Sequence, residues 1–203
     1  MANELQRIIS AFIQFLFVII LPYIWWFVTV CGKVPFMEWI GLKAVKRVKT
    51  LQLILWIIGG FLLFTAFSIF IFPLTRSIET ATSAFSGMGL KALPSILIYS
   101  FLQTSLPEEL LFRGFLLKRL VNHMPFVFAN TIQAIAFGLL HGVLFASVVS
   151  LEVTFFIIFF TGAIAAYLGF VNEKKAGGSI LTSWIIHALA NILSGLVAAF
   201  SLF

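Results

Sequence analysis

Hydrophobic residues fall along this chain in six long runs, at about 8–31, 51–73, 95–117, 126–148, 151–171 and 179–202. Each is close to the roughly 20 apolar residues that an α-helix needs to cross a bilayer. The pattern therefore predicts an all-α fold: a polytopic membrane helix bundle of about six transmembrane helices. Residues 33–50 interrupt it with Lys33, Lys43, Lys46, Arg47 and Lys49 beside Pro35, Glu38 and Trp39, and are expected to form a short interfacial helix. Residues 74–93 are more polar, carry Gly87 and Gly89, and read as a loop or surface helix. The first run has no small-residue cleavage pattern, so it is expected to be a retained span and not a signal peptide. No internal repeat or low-complexity tract divides the chain, and residues 1–203 read as a single integral membrane domain.

Composition agrees with lipid as the solvent. Hydrophobic residues make up 62% of the chain and charged ones 10%, and mean hydropathy is +1.13. Soluble domains are nearer 45–50% apolar and about 25% charged. The net charge of +6 does not indicate nucleic acid, because the basic residues gather between the runs. Segments 33–50, 118–125 and 172–178 hold nine Lys and Arg, against three (Arg7, Arg76 and Lys91) on the opposite side. By the positive-inside rule the nine-charge side is cytoplasmic and both termini lie outside. The compact size fits a bacterial cell membrane. Trp25, Trp26 and Trp39 are expected to anchor at the interface, and the 25 Phe to face lipid. Cys31 is the only cysteine, which excludes an internal disulfide and any multi-cysteine metal site.

The exceptions to apolar patterning carry the chemistry. Glu108, Glu109 and Arg113 lie within the third run, where each charge costs roughly 2.5–3.5 kcal/mol on insertion scales. Glu109 and Arg113 are four residues apart, share a helix face and neutralise one another. Glu108 is rotated about 100° away and is left without that partner. His141 lies in the fourth run and His187 in the sixth, with Asn191 four residues beyond His187 on the same face. Polar groups from three spans are too costly to face lipid, so they are expected to converge on an intramembrane polar cavity.

Such a set can hydrolyse an amide bond. A carboxylate beside a histidine can hold and deprotonate water, and a His–Asn pair can donate to the oxyanion of a tetrahedral intermediate. Asp is absent and Cys31 lies in the remote first run, so no Ser-His-Asp or Cys-His nucleophile is available. Glu108, His141 and His187 could also hold zinc with an open water position. The metal-free reading is preferred and no cofactor is expected.

The order of these motifs on successive spans is that of a known family. Glu-Glu-x-x-x-Arg (Glu108, Glu109, Arg113), then Phe-x-x-x-His (Phe137, His141), then His-x-x-x-Asn (His187, Asn191) resembles the CPBP family. These are the CAAX proteases and bacteriocin-processing enzymes, also called Abi, relatives of type II CAAX prenyl endopeptidases. The resemblance covers about residues 95–195 and leaves 1–94 as accessory spans and loops. It implies a glutamate-dependent intramembrane endopeptidase acting near the cytoplasmic membrane face. On that implication Glu108 is the general base and His141 helps hold the water. Glu109 with Arg113 shapes the site, and His187 with Asn191 stabilises the oxyanion. The implied partners are the lipid bilayer and a peptide or protein substrate, membrane-anchored or prenylated, with no nucleic acid.

Other readings stay open at this point. A scaffold or bacteriocin-immunity protein of the same fold would need no Glu108, a proton-coupled transporter would use buried Glu and His as a relay, and a haem protein would use both histidines. His123, beside Pro125, reads as a surface residue, Glu152 and Glu173 as helix-end residues, and Gly138-x-x-x-Gly142 as a helix-packing motif. One mismatch stands out. Counted from the cytoplasmic ends of their runs, His141 lies about 9 Å deeper than Glu108 and His187, at 1.5 Å per residue.

Overall fold

The computed structural model describes residues 2–45, 49–75 and 78–202. Lys46, Arg47 and Arg76, counted above among the loop charges, lie outside the described residues. Within them the chain is helical and contains no strand. Helix α1 is Ala2–Thr29, α2 is Phe36–Ile40 and α3 is Thr50–Thr75. A long helical run of mixed pitch, α4, covers 93–120. Helix α5 is Phe126–Phe145, α6 is Leu151–Phe170 with a π-helical extension Val171–Lys175, and α7 is Leu181–Ala199. Five of these, namely α1, α3, α5, α6 and α7, are long and apolar enough to cross a membrane. The charged run expected at 95–117 lies wholly within α4.

Pro107 accounts for part of the mixed pitch of α4. It is α-helical over Leu93–Ile98, π-helical over Tyr99–Ser105, α-helical over Leu106–Glu109, π-helical over Leu110–Leu117 and α-helical over Lys118–Leu120. Pro107 has no N–H to give to the carbonyl four residues back, and its ring crowds that carbonyl. The preceding turns widen, and the Thr104 hydroxyl donates to Tyr99 O, five residues back, at 3.0 Å. Wide turns of this kind re-aim side chains, and the two glutamates follow directly.

Packing sorts the helices into lipid-facing and interior members. In their most apolar windows α1 and α3 are 11% buried, against 33–39% for α5, α6 and α7, so α1 and α3 form the outer wall. Helices α5 and α6 form a close hairpin. A Cβ on Gly138 would come within 2.5 Å of Ile158 O, and one on Gly142 would strike the Ile158 side chain, so the two glycines serve packing as their spacing predicts. Across the same seam Gln133 donates to Ala165 O and Asn130 Oδ1, and Asn130 donates to Ala166 O. The indole expectations hold only in part. Trp39 is buried with Ile40, Leu110 and Ile180, and the Arg119 guanidinium stacks 3.8 Å above its ring. Helix α2 is only five residues long and ends at Gly41, whose φ of +89° a larger side chain would resist. That turn presses Ile40 O onto Gly114, where a Cβ would sit 2.6 Å away. Nor do all phenylalanines face lipid: Phe85, Phe112, Phe137 and Phe160 are buried.

Packing at the start of α7 bears on the His187 part of the depth mismatch. Ile180, at the start of α7, is fully buried, as are Ser179 and Ser183. The Ile180 N–H donates to Gly41 O, and the Ser179 hydroxyl donates to Lys43 O. The last helix therefore starts beneath a cover made by residues 41–43, and His187 follows from that recessed start. At its other end the bundle is closed by Phe85, Ala92, Ile96 and Ala199. The polar residues lie between these two apolar clusters.

Candidate active site

Glu108 and Glu109 sit on the short α-helical stretch of α4 between its two π-helical stretches, and their surroundings differ. Glu109 is fully buried and every part of its carboxylate is engaged. Oε1 lies 3.0 Å from Arg113 Nη1 and 3.0 Å from His187 Nδ1, and Oε2 accepts from the Ser183 hydroxyl. Arg113 is equally buried, and its guanidinium stacks 4.4 Å above the Phe137 ring. The ion pair expected from the spacing is formed, and it extends into α5 and α7.

Glu108 turns instead toward a cavity of about 740 Å³ that His141, His187, Asn191, Tyr99, Thr104 and Phe137 also line. Its Oε2 lies 3.8 Å from His187 Nε2 and 4.0 Å from His141 Nε2. The same oxygen is buried yet accepts no hydrogen bond from the described residues. Buried carboxylate oxygens in native proteins are nearly always bonded, and this one is aimed between two imidazoles.

The ring tautomers follow from the partners. His141 Nδ1 is 3.0 Å from Phe137 O, a carbonyl that can only accept, so Nδ1 carries hydrogen. His187 Nδ1 faces the Glu109 carboxylate, already paired with Arg113, and donates in the same way. Both Nε2 atoms are thereby left for Glu108 and the cavity. Asn191 lines the cavity as expected, but its amide also donates to Thr104 Oγ1 at 2.8 Å and to Ser105 Oγ at 3.1 Å. All six residues singled out from the sequence are thus brought to one place: Glu108, His141, His187 and Asn191 at the cavity, and Glu109 and Arg113 directly behind.

Residues 90–193 match the family described as type II CAAX prenyl endopeptidase Rce1-like. The chain belongs to this family. No curated protein and no solved structure matches it. The matched region runs from just before α4 through most of α7 and contains the whole polar cluster. Membership makes the protein an intramembrane protease of the CAAX type, resident in a lipid bilayer and acting on a peptide or protein substrate.

Sequence reasoning missed several residues of the site. Ser183 stands four before His187, so Ser183, His187 and Asn191 form one stripe of α7, and that spacing was the available signal. Thr104 and Ser105 would have needed the π-helical turn to be foreseen. Asn172 reaches Ser183 from the end of α6, and nothing in its local sequence announces that contact. His123 is exposed, as expected. Glu173 does more than end a helix, since it pairs with Lys118 at 2.8 Å.

Proposed function

We propose that this protein is a glutamate-dependent, metal-free intramembrane endopeptidase in which Glu108 activates water for attack on a peptide carbonyl. The observation that carries this reading is Glu108 Oε2, which accepts no hydrogen bond from the described residues and lies 3.8 and 4.0 Å from two Nε2 atoms supplied by different helices. A water oxygen can sit about 2.8 Å from each of those atoms. It donates one hydrogen to Glu108 and one to His141 Nε2. Attack forms the carbon–oxygen bond as the first proton passes to Glu108. As an imidazolium, His187 donates from Nε2 to the oxyanion; with Glu108 now neutral, the charges of the oxyanion and Glu109 balance those of Arg113 and His187 within the membrane. Asn191 adds a second donor by exchanging its Thr104 contact for the oxyanion. Glu108 next returns its proton to the leaving nitrogen, the carbon–nitrogen bond breaks, and a carboxyl and an amino product separate.

Ligand spacing supports the metal-free form. Donors on a tetrahedral zinc at about 2.0–2.1 Å lie roughly 3.3 Å apart, and the separations here are wider. A prenylated or otherwise membrane-anchored substrate suits the apolar upper wall of the cavity, which includes Phe64, Ile71, Phe72, Phe160, Ile164 and Val197. With the basic loops on the cytoplasmic side, the cluster lies toward that face.

The test uses the full chain in liposomes with quenched peptides, one farnesylated at a C-terminal CAAX sequence and one bare. Glu108→Gln should lower kcat by about 10²–10⁴, His187→Ala should lower it by about 10²–10³, and a chelator should leave wild type unchanged. Full activity in Glu108→Gln would refute the assignment, and loss with chelator alone would refute the metal-free form.

A further inference from the structure

We infer that Ser183 and Asn172 are positioning residues that act through Glu109 to fix the His187 ring for catalysis. A carboxylate held through one oxygen can pivot about it. Glu109 Oε1 already serves both Arg113 and His187, so the plane of the group is set by whatever holds Oε2, and that is the Ser183 hydroxyl. The hydroxyl has a single hydrogen, and of its two possible acceptors Glu109 Oε2 is closer than Ile180 O, which lies at 3.1 Å. Asn172 Nδ2 donates to Ser183 Oγ at 2.6 Å, which leaves the serine to donate onward. Asn172 is fixed at both ends of its amide, because its Oδ1 accepts the Ser183 backbone N–H at 3.2 Å.

That last bond has a local cause. The residue before α7 is Ile180, which has no side-chain oxygen to accept from the free N–H groups of the first turn. Asn172 supplies the acceptor from the π-helical end of α6. It both caps the helix that carries His187 and starts a relay: Asn172 to Ser183, Ser183 to Glu109, and Glu109 to His187 Nδ1. Asn172, Ser183 and Glu109 are all fully buried, so water does not substitute for any of these bonds. Ser183 and His187 lie four residues apart on one face of α7, and Glu109 spans the two. The relay keeps hydrogen on His187 Nδ1 and so directs Nε2 at Glu108.

The inference rests on the proposed mechanism for its kinetic part alone, and the experiment separates the two. Ser183→Ala removes the hydroxyl while keeping the backbone N–H that Asn172 caps, in a residue type that favours helix. Wild type, Ser183→Ala and Glu108→Gln would be prepared as full chains with ¹⁵N-labelled histidine in lipid nanodiscs. Only three histidines contribute, and His187→Gln assigns the ring of interest. In Ser183→Ala the His187 Nδ1–H signal should lose the shift of its hydrogen bond to Glu109, while the signals of His123 and His141 and the thermal midpoint stay in place. With the farnesylated peptide, kcat should fall about ten- to hundredfold, the range seen when the partner that orients a metal-bound histidine is removed, with KM unchanged.

Unmoved His187 signals, or kcat within twofold of wild type, would overturn the inference. So would a loss of activity accompanied by a lower thermal midpoint and shifted His141 signals, which marks a structural residue. Full activity in Glu108→Gln would defeat the mechanism and leave the relay to be judged by the spectra.

Discussion

Replacing Arg113 with methionine tests whether the buried ion pair holds the site together. Methionine keeps an unbranched, flexible side chain against Phe137 but removes the charge. The two groups are 3.0 Å apart and neither is exposed. At an effective dielectric of about 20 their attraction is on the order of 5 kcal/mol, most of it spent on removing both from solvent. Breaking the pair from one side leaves Glu109 as a buried charge, and the expected cost is about 3–5 kcal/mol. Arg113→Met should therefore unfold at a clearly lower temperature in detergent–lipid micelles and lose cleavage as His187 is released. Adding Glu109→Gln removes the stranded charge, and the double variant should recover most of the stability while staying inactive. Its cost should fall short of the summed single costs by more than about 1 kcal/mol, within the range seen for coupled neighbours. Additive costs, or an Arg113→Met variant as stable as wild type, would refute the idea that these charges depend on one another.

Two further outcomes follow from the packing. Gly138→Ala places a methyl against Ile158 O and should cost about 1–3 kcal/mol by forcing α5 from α6, read as a lower thermal midpoint with activity falling in parallel; an unchanged midpoint would count against the close hairpin. At the basic end, Lys118 donates to Glu173 and to Gly178 O, and burial, only partly offset by Glu173, holds its ammonium below the ordinary lysine range. The unfolded chain then binds more protons between the folded value and the ordinary one, so stability rises with pH across that window. Denaturation of wild type and Lys118→Met from neutral to alkaline pH should show that rise only in wild type, and parallel curves would refute it.

The chain announces its expensive features and hides its cheap ones. Six apolar runs gave the helices because spanning lipid demands length. Glu108, Glu109, Arg113, His141 and His187 stood out because a charge or imidazole in such a run needs a reason. Ser183, Thr104 and Ser105 gave no such signal, since a hydroxyl in a membrane helix can bond its own backbone, as Thr65 and Ser68 do here. The π-helical turns were illegible for another reason: Pro107 marks a break in the ladder without saying how the turns absorb it. The recessed start of α7 depends on residues 41–43, more than 130 positions away, and no local pattern records that contact.

Glu108 and Glu109 are neighbours with the same side chain, and the fold gives them opposite circumstances. Successive helical residues point about 100° apart, so a single stretch of α4 directs one carboxylate into the bundle and the other into the cavity. Glu109 is met by a cation, an imidazole and a hydroxyl, and it has little reason to change its state. Glu108 is met by two ring nitrogens that stay beyond hydrogen-bond reach. A carboxylate already bonded to the protein would have to break that bond before accepting a proton from water, whereas Glu108 would not. On the proposed mechanism the engaged neighbour has a part as well, because Glu109 contacts His187 from behind while Glu108 faces the cavity. On this reasoning exchanging the two roles is impossible by substitution alone, because the difference lies in where the helix points them.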